Sequence, residues 1–546
     1  MNNPKNFLGK GDVMKKNLLA VSLMTMAGLY GVLAAVLILV FILLDLPVTM
    51  GIGISIIIII IQFLIAPWVN DLIFKSLYRA KFDYEIPEYL QKFIQETCDK
   101  YNMKYPKVGF INDGAPNAFT YGRTKNDARV VITRGIFDLL DEEEVKTVVA
   151  HELGHAKNYD MLFMTVAQVV PLVLYYVYEL LVGGRVSSGS SSSSDSDSAD
   201  YTAAIGLLAY VLYLISQYII LWLSRTREYC ADSFALEETQ NPTALAKALI
   251  KIGFGLARGD KDERSKASSG NTLGISNGKH SKGMAISSYN GGGVTKENVI
   301  NAMKWERWNV WAKLNELSST HPLTSKRILA ISERCPDFNQ EPYIVFDEQQ
   351  PESYVDDFIK ELFILLMPWL SLIVAPILFA VMGEDRFGAV LGISGIILFG
   401  SLLIQLGYTH KNKDYKETTV ENLLSEVKVS TVTSVPCILE GTIIGRGNPG
   451  CIFNEDFVVK DETGIMFLDY NQPLVTIEKI FAIFKSKEYF DKKVKVKGWY
   501  RRSLSPYVEV HSIEIDGKIK KCHTYATAKV LCWIMLAISV LAAVLV

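Results

Sequence analysis

Apolar residues along this chain gather into long runs with few charges instead of spreading in short periods. Seven runs, 18–44, 51–69, 161–182, 203–223, 363–381, 387–406 and 526–546, are long enough to cross a bilayer, which takes roughly 20 apolar residues. The first is too long for a cleaved leader, no small-residue cleavage site follows it, and the second comes almost at once. Other periods stand between the runs. Residues 81–101 repeat as a helix, 106–133 read as short strands with a turn at 122–126, and 140–160 read as a helix. Asp141 is the expected cap of that last helix, with Glu144 three residues on.

The region 429–520 alternates apolar and polar residues with period two, at 437–445, 457–460, 464–470, 492–502 and 507–516. A helical stretch, 474–487, separates the third and fourth of these strands. Five strands with a helix at that place fit an OB-fold barrel. Two low-complexity stretches are expected to be flexible, the Ser-rich 187–198 and the Gly/Ser/Lys-rich 259–293. The second brushes a phosphate-loop pattern with Gly274, Gly278 and Lys279. The glycine spacing is wrong, and His280 stands where Ser or Thr is needed, so an ATPase is rejected.

A net charge of −2 over 546 residues gives no reason to expect a polyanionic partner. The placement of Lys and Arg is more informative. Lys5, Lys10, Lys15 and Lys16 put the N-terminus in the cytoplasm, and 75–160, 224–360 and 410–525 follow it there, while the outer loops hold only Arg185 and Arg386. The seven cysteines form no CxxC and are expected as free thiols in a reducing compartment.

The candidate chemistry lies at His151-Glu152-Leu153-Gly154-His155. Histidines at i and i+4 share one helical face and can reach one tetrahedral metal, with Glu152 placed to take a proton from water. A catalytic zinc needs a third protein ligand and an open position. No third histidine follows, because Asn158 and Met161 occupy the positions of the extended motif. A distant carboxylate is needed, and 225–232 offers Glu228 and Asp232 on one helix face. Either could ligate while the other orients an imidazole; an ordinary solvated acidic face is an equal reading of that segment alone.

HELGHAKNYD at 151–160, REYCAD at 227–232 and THPLTSKRI at 320–328 together resemble the HtpX-like membrane metalloproteases, relatives of the CAAX prenyl proteases. Asn117-Ala118-Phe119 and the segment 130–140 resemble that family's edge strand and the lead-in to its motif helix. The resemblance covers about 18–331. It implies one zinc on His151, His155 and Glu228, Glu152 as general base, and Asp232 behind an imidazole. Asn117, Ala118 and Phe119 would meet substrate, and His321 and Arg327 would bind substrate or steady the oxyanion. The Ser-rich loop, the Gly/Ser insert and everything after about Glu352 depart from the family pattern.

The expected architecture is a polytopic α-helical membrane protein with a cytoplasmic α+β zincin-like metalloprotease domain and a C-terminal OB-fold-like β-barrel. Its parts run as two spans (1–74), a first catalytic part (75–160), two spans with the outer loop (161–223), a second catalytic part (224–352), two spans (353–409), the barrel (418–520) and a last span (526–546). The expected function is zinc-dependent cleavage of peptide bonds in cytoplasmic segments of misfolded membrane proteins, at the plasma membrane. Its partners would be protein or peptide substrates and the bilayer. A non-catalytic membrane adaptor whose barrel binds partners is the alternative. A transporter fits less well, since the span centres lack ionisable residues. Lys495 and Lys497 beside Trp499 and Tyr500 could bind single strands, but a lipid-facing or protein-docking surface is the preferred reading, and nucleic acid is not an expected partner. His410, His511 and His523 show no ligand spacing and are read as surface residues.

Overall fold

In the computed structural model, residues 1–23, 41–47, 113–115, 184–195, 259–288, 447–456, 474–488 and 546, with a few isolated positions, lie outside the described residues. The chain divides into two compact units, one of Met1–Ile252, Ser269–Asn277 and Glu316–Val345, the other of Gly253–Ser268, Gly278–Asn315 and Phe346–Val546. Of the seven expected spans, five coincide with helices long and apolar enough to cross a membrane. The run 51–69 falls inside a helix, Val48–Ser76, and most of 18–44 lies outside the described residues. So do the Ser-rich loop up to residue 195, most of the Gly/Ser insert, and the helix expected at 474–487.

In the first unit, α1 (Val48–Ser76) leads to α2 (Glu88–Lys100), which buries Leu90, Ile94, Thr97 and Cys98 along one stripe. A three-stranded sheet follows, with β1 (Lys107–Ile111), β2 (Ala118–Gly122) and β3 (Ala128–Thr133) in the order β1-β3-β2. β3 is central and wholly buried, parallel to β1 and antiparallel to β2, so β2 is an edge. Asp71 on α1 pairs with Arg129 on β3 at 3.1 Å and holds the sheet to that helix.

Next comes α3 (Glu142–Lys157), opened by a full capping box: Asp141 accepts from the Glu144 amide and Glu144 accepts from the Asp141 amide. The expected single helix 140–160 is broken here. Tyr159 sits at φ 57°, a left-handed conformation uncommon for a bulky residue, and a new helix, α4 (Asp160–Tyr178), starts in another direction. After it come α5 (Ser196–Thr239), 44 residues long, and α6 (Pro242–Arg258). The apolar stretches Asp160–Val182 and Tyr201–Thr239 are two of the five candidate spans. Leu29, Leu33, Val36 and Val40 recur at helical spacing and pack with Ala167, Val170 and Leu174 of α4.

In the second unit, α7 (Lys296–Trp308) precedes the candidate spans Val355–Met382, Phe387–Thr409 (α8) and Thr524–Val544, the last within α9 (Thr524–Leu545). α8 and α9 pack through small residues: a β-carbon on Gly392 would lie 2.4 Å from the Ala543 nitrogen, so only glycine permits this approach. Between them lies a barrel of β4 (Val435–Arg446), β5 (Phe457–Lys460), β6 (Ile465–Asp469), β7 (Lys493–Arg502) and β8 (Pro506–Ile515). The order is β4-β5-β6-β8-β7, and β7 pairs back onto β4 and closes it; only the β6–β8 pairing in this ring is parallel. Leu439, Val459, Met466, Val496 and Val508, one from each strand, are fully buried inside.

Three features of this unit differ from the sequence reading. Two short strands, Lys416–Thr418 and Lys518–Lys521, extend the sheet beyond the five expected. Trp499 and Tyr500 are buried, with no ring face left for a nucleobase; Lys495 pairs with Glu417 and Glu440 at 2.6 Å each, and Lys497 lies over the Tyr415 ring. His410 is no surface residue: it stacks on Tyr525, meets the edge of Trp499 and bonds Glu509 at 2.9 Å. His511 is half-buried beside Trp499, while His523 is exposed as expected. The segment before the spans also belongs to this unit. Trp305 donates to the Val429 carbonyl, Asn309 to the Val427 carbonyl and Arg502 to the Ala302 carbonyl, at 2.7–2.8 Å.

Candidate metal centre

The site begins with a close helix pair. Gly154 faces α5, where an added β-carbon would stand 3.2 Å from the Ala231 Cα and 3.1 Å from the Phe234 ring. A side chain there would push the helices apart. With glycine, α5 comes near enough for Glu228 and Asp232, one turn apart, to meet the two histidines of α3.

His151 and His155 each have a carboxylate behind them, His155 in a hydrogen bond and His151 at ion-pair distance without hydrogen-bond geometry. The His151 Nδ1 is 2.9 Å from Asp232 Oδ1, and the His155 Nδ1 is 2.7 Å from Asp160 Oδ2. An ionised carboxylate only accepts, so in each ring the proton belongs on Nδ1 and the lone pair on Nε2. These two bare Nε2 atoms are 3.2 Å apart. Each is also 3.5 Å from a Glu228 oxygen, His151 from Oε2 and His155 from Oε1. Glu228 Oε2 is buried and has no hydrogen-bond partner, only ion-pair neighbours at 3.5 Å. Two imidazole nitrogens and the Glu228 carboxylate, three electron-rich groups, therefore converge.

That spacing fits a small divalent cation. A tetrahedral zinc with bonds of about 2.0–2.1 Å sets its ligand atoms about 3.3–3.4 Å apart; the two Nε2 atoms are 3.2 Å apart, and each has one oxygen of the Glu228 carboxylate at 3.5 Å, Oε2 for His151 and Oε1 for His155. Among the described residues, His151, His155 and Glu228 form the group able to hold a metal ion. Glu152 lies beside them, buried; burial raises its carboxyl above the ordinary carboxylate range, opposed in part by His155 and His151.

The other expected residues divide between the centre and its surroundings. His321 is buried, with Nε2 3.5 Å from Glu228 Oε1 and Nδ1 2.8 Å from the Thr320 hydroxyl; burial lowers its pKa and favours the neutral ring. Its loop is pinned by Arg225, which donates to the Glu316, Leu317 and Ser319 carbonyls at 2.8–3.2 Å. Arg327 turns its fork onto Asp232, at 2.8 and 2.6 Å, and reaches Glu228 at 3.5 Å. It thus stands behind the ligands. Ala118 starts the edge strand β2, and Asn117 just before it is tied to Thr133 at 2.8–3.0 Å. Phe119 packs its ring on Phe74. Thr120 joins β2 to the motif helix, donating to the Glu152 carbonyl at 3.2 Å.

Asp160 is the functional residue that sequence reasoning missed. On an unbroken helix it would lie about 140° around the axis from His155, facing elsewhere. The left-handed Tyr159 turns the chain so that Asp160 meets His155, and Arg227 of α5 bonds its other oxygen. The signal in the sequence was weak: an acid just past the motif, and an arginine directly before Glu228.

A buried and a partly buried histidine on one helix, each with a carboxylate behind it, a distal glutamate and an adjacent buried carboxyl are the arrangement that a metallopeptidase centre needs. The chain matches the model of Peptidase family M48 over residues 87–335. It is 38% identical over 192 residues to a protease HtpX homolog of Methanothermobacter thermautotrophicus, covering 35% of this chain and 68% of that protein. It is 34% identical over 188 residues to the one of Aquifex aeolicus, covering 34% and 62%. The chain belongs to the M48 metalloendopeptidases, and within them to the HtpX-like kind. The match thus spans under two thirds of the second of these relatives' length. The crystal structure of S. mikatae Ste24p is similar over 57% of this chain and 65% of that one, at 16% identity and a TM-score of 0.33, a likeness too slight to bear on the fold.

Proposed function

We propose that this chain is a membrane-bound zinc endopeptidase that cuts peptide bonds in cytoplasmic segments of membrane proteins, misfolded ones above all. The convergence of the His151 and His155 Nε2 atoms on Glu228 is the observation that carries this reading. When bound there, zinc supplies Lewis acidity, which polarises the scissile carbonyl and acidifies the attacking water. Glu152 accepts the proton from that water on its carboxylate and delivers it to the leaving nitrogen. Its raised pKa suits both halves of the task. Asp232 and Asp160 hold the imidazoles with their lone pairs forward, and Arg327 keeps Asp232 ionised and in place. His321 offers its ring to the developing oxyanion. The edge strand β2 flanks the motif helix and is placed to receive an extended substrate as an added strand.

The excess of Lys and Arg in the segments 75–160, 224–360 and 410–525 supports a cytoplasmic N-terminus, centre and barrel, and the plasma membrane is the membrane we propose. The part boundaries at 74, 160, 223, 352 and 409 belong to the same topology. The barrel's strand order, with its single parallel pairing in the ring, supports the OB-fold reading. The test is metal content and peptide hydrolysis of purified protein: one zinc per chain with activity supports the proposal, and activity that survives complete chelation overturns it.

A further inference from the structure

A cavity of about 430 Å³ runs between α4 and α5, at the level of their apolar spans. Its inner end adjoins the metal centre along three segments. Met164 is one turn past Asp160 on α4, Ser224 is one turn before Glu228 on α5, and Thr320 bonds the His321 ring. From there the lining continues to Tyr175 on one helix and Tyr213 on the other, whose rings lie 5.4 Å apart. Met164 to Tyr175 and Ser224 back to Tyr213 are each eleven residues, roughly 16 Å of helix at 1.5 Å per residue. That length holds about five residues of extended chain.

The walls are mostly apolar, Leu172, Ile220 and Leu221 among them; away from the hydroxyls of Ser224 and Thr320 at the inner end, each helix adds one amide. Gln168 and Gln217 both line the cavity on its open side, where both are exposed, and neither has a hydrogen-bond partner among the described residues. An amide side chain inside a membrane span is costly unless something meets it. A hydrocarbon chain or a regular helix offers nothing to an amide, since a helix satisfies its own backbone. A chain drawn out of helical form offers unpaired N–H and C=O groups, which an amide side chain answers as both donor and acceptor.

We propose that this cavity is a binding groove for an apolar, extended stretch of a substrate's own membrane span, which it leads to the metal centre. The proposal rests on the endopeptidase reading and narrows it: the preferred substrates are spans that unwind readily at the depth of Gln168 and Gln217. Both amides pair with the unwound backbone, the aliphatic walls take its side chains, and the chain leaves past Ser224 and Thr320 toward Glu228.

The test is photo-crosslinking with the full chain in phosphatidylcholine nanodiscs and a chelator present. Leu172 is replaced by p-benzoylphenylalanine in one variant. In a control, Ile215, exposed on the other side of α5, is replaced instead. The probes are two Leu/Ala peptides of about 25 residues, one an unbroken helix and one with a central Gly-Pro-Gly. The groove predicts about tenfold more adduct with the broken peptide than with the unbroken one at position 172, equivalent to one or two paired amides. It predicts no such preference at 215, and loss of the preference in the Gln168→Leu, Gln217→Leu double variant. Equal labelling by both peptides, or adducts with phospholipid alone, would overturn it. No bond is cut in this experiment, so the two ideas separate. A preference seen in a chain that hydrolyses nothing upholds the groove and removes the endopeptidase reading; hydrolysis without the preference removes the groove alone.

Discussion

The metal centre and the base of the barrel both set a histidine against a carboxylate, and they differ in what remains over. At the barrel, His410 Nε2 bonds Glu509, and its Nδ1 is met by the Thr409 hydroxyl at 2.8 Å. Arg501 closes the cluster on Glu509 at 2.7 Å and also reaches the Thr409 carbonyl. Every polar atom of the ring is engaged, and Tyr525 and Trp499 cover its faces. At the centre, by contrast, His151 and His155 spend one nitrogen each on a carboxylate and turn the other toward a third electron-rich group. Burial and a carboxylate partner are common to both places. The surplus lone pairs are what mark a site that needs a cation, and the barrel cluster has none.

Mutation at both places should separate them in the same two quantities, zinc content and peptide cleavage. Glu152→Gln should keep the zinc and lower kcat by about 10²–10⁴-fold, the usual contribution of a general base; His410→Ala should leave zinc content and peptide cleavage as they were. Substitution of Asp160 by Asn removes the carboxylate behind His155 and should weaken zinc binding about 10- to 100-fold by equilibrium dialysis. If Asp160→Asn binds zinc as tightly as the wild type, the carboxylate has no part in tuning the ligand.

At the barrel the expected effect is smaller and appears in stability. Burial opposes ionisation of Glu509, but the His410 hydrogen bond and the Arg501 charge outweigh it, and the carboxyl falls to about 2. A depressed pKa gives stability that is complete above the ordinary carboxylate range and is lost as pH falls from about 4.5 toward 2. The carboxylate then contributes on the order of 3 kcal/mol at neutral pH. The unfolding temperature of the second unit, followed by Trp499 fluorescence, should drop across that window, and Glu509→Gln should flatten the drop. A Glu509→Gln protein with the wild-type profile would assign the acid sensitivity to other groups.

How much of this was legible in the sequence depended on the range of the interaction. The HExxH spacing, the capping box at Asp141 and Glu144, and the alternation of the barrel strands are local patterns, and each appears in the structure where it was read. Glu228 and Asp232 could be seen to share a face, but the choice between them depended on the approach of α5 to α3, which Gly154 permits and no local pattern encodes. Asp160 was hidden because a left-handed tyrosine is not predictable from residue type, and reading one helix through 160 aimed the carboxylate the wrong way. Trp499 and Tyr500 misled for a related reason. Strand alternation assigns one of two neighbours to each face, but at this closed end of the barrel both are covered, Trp499 by His410 and Tyr415.

Zinc K-edge X-ray absorption on the wild type and on Glu228→Cys tests directly whether position 228 supplies the third ligand. The wild type should show nitrogen and oxygen neighbours at about 2.0–2.1 Å and no sulfur, and Glu228→Cys should add one sulfur at about 2.3 Å. A Glu228→Cys spectrum indistinguishable from the wild type, with zinc still bound, would contradict the account and place the third ligand elsewhere.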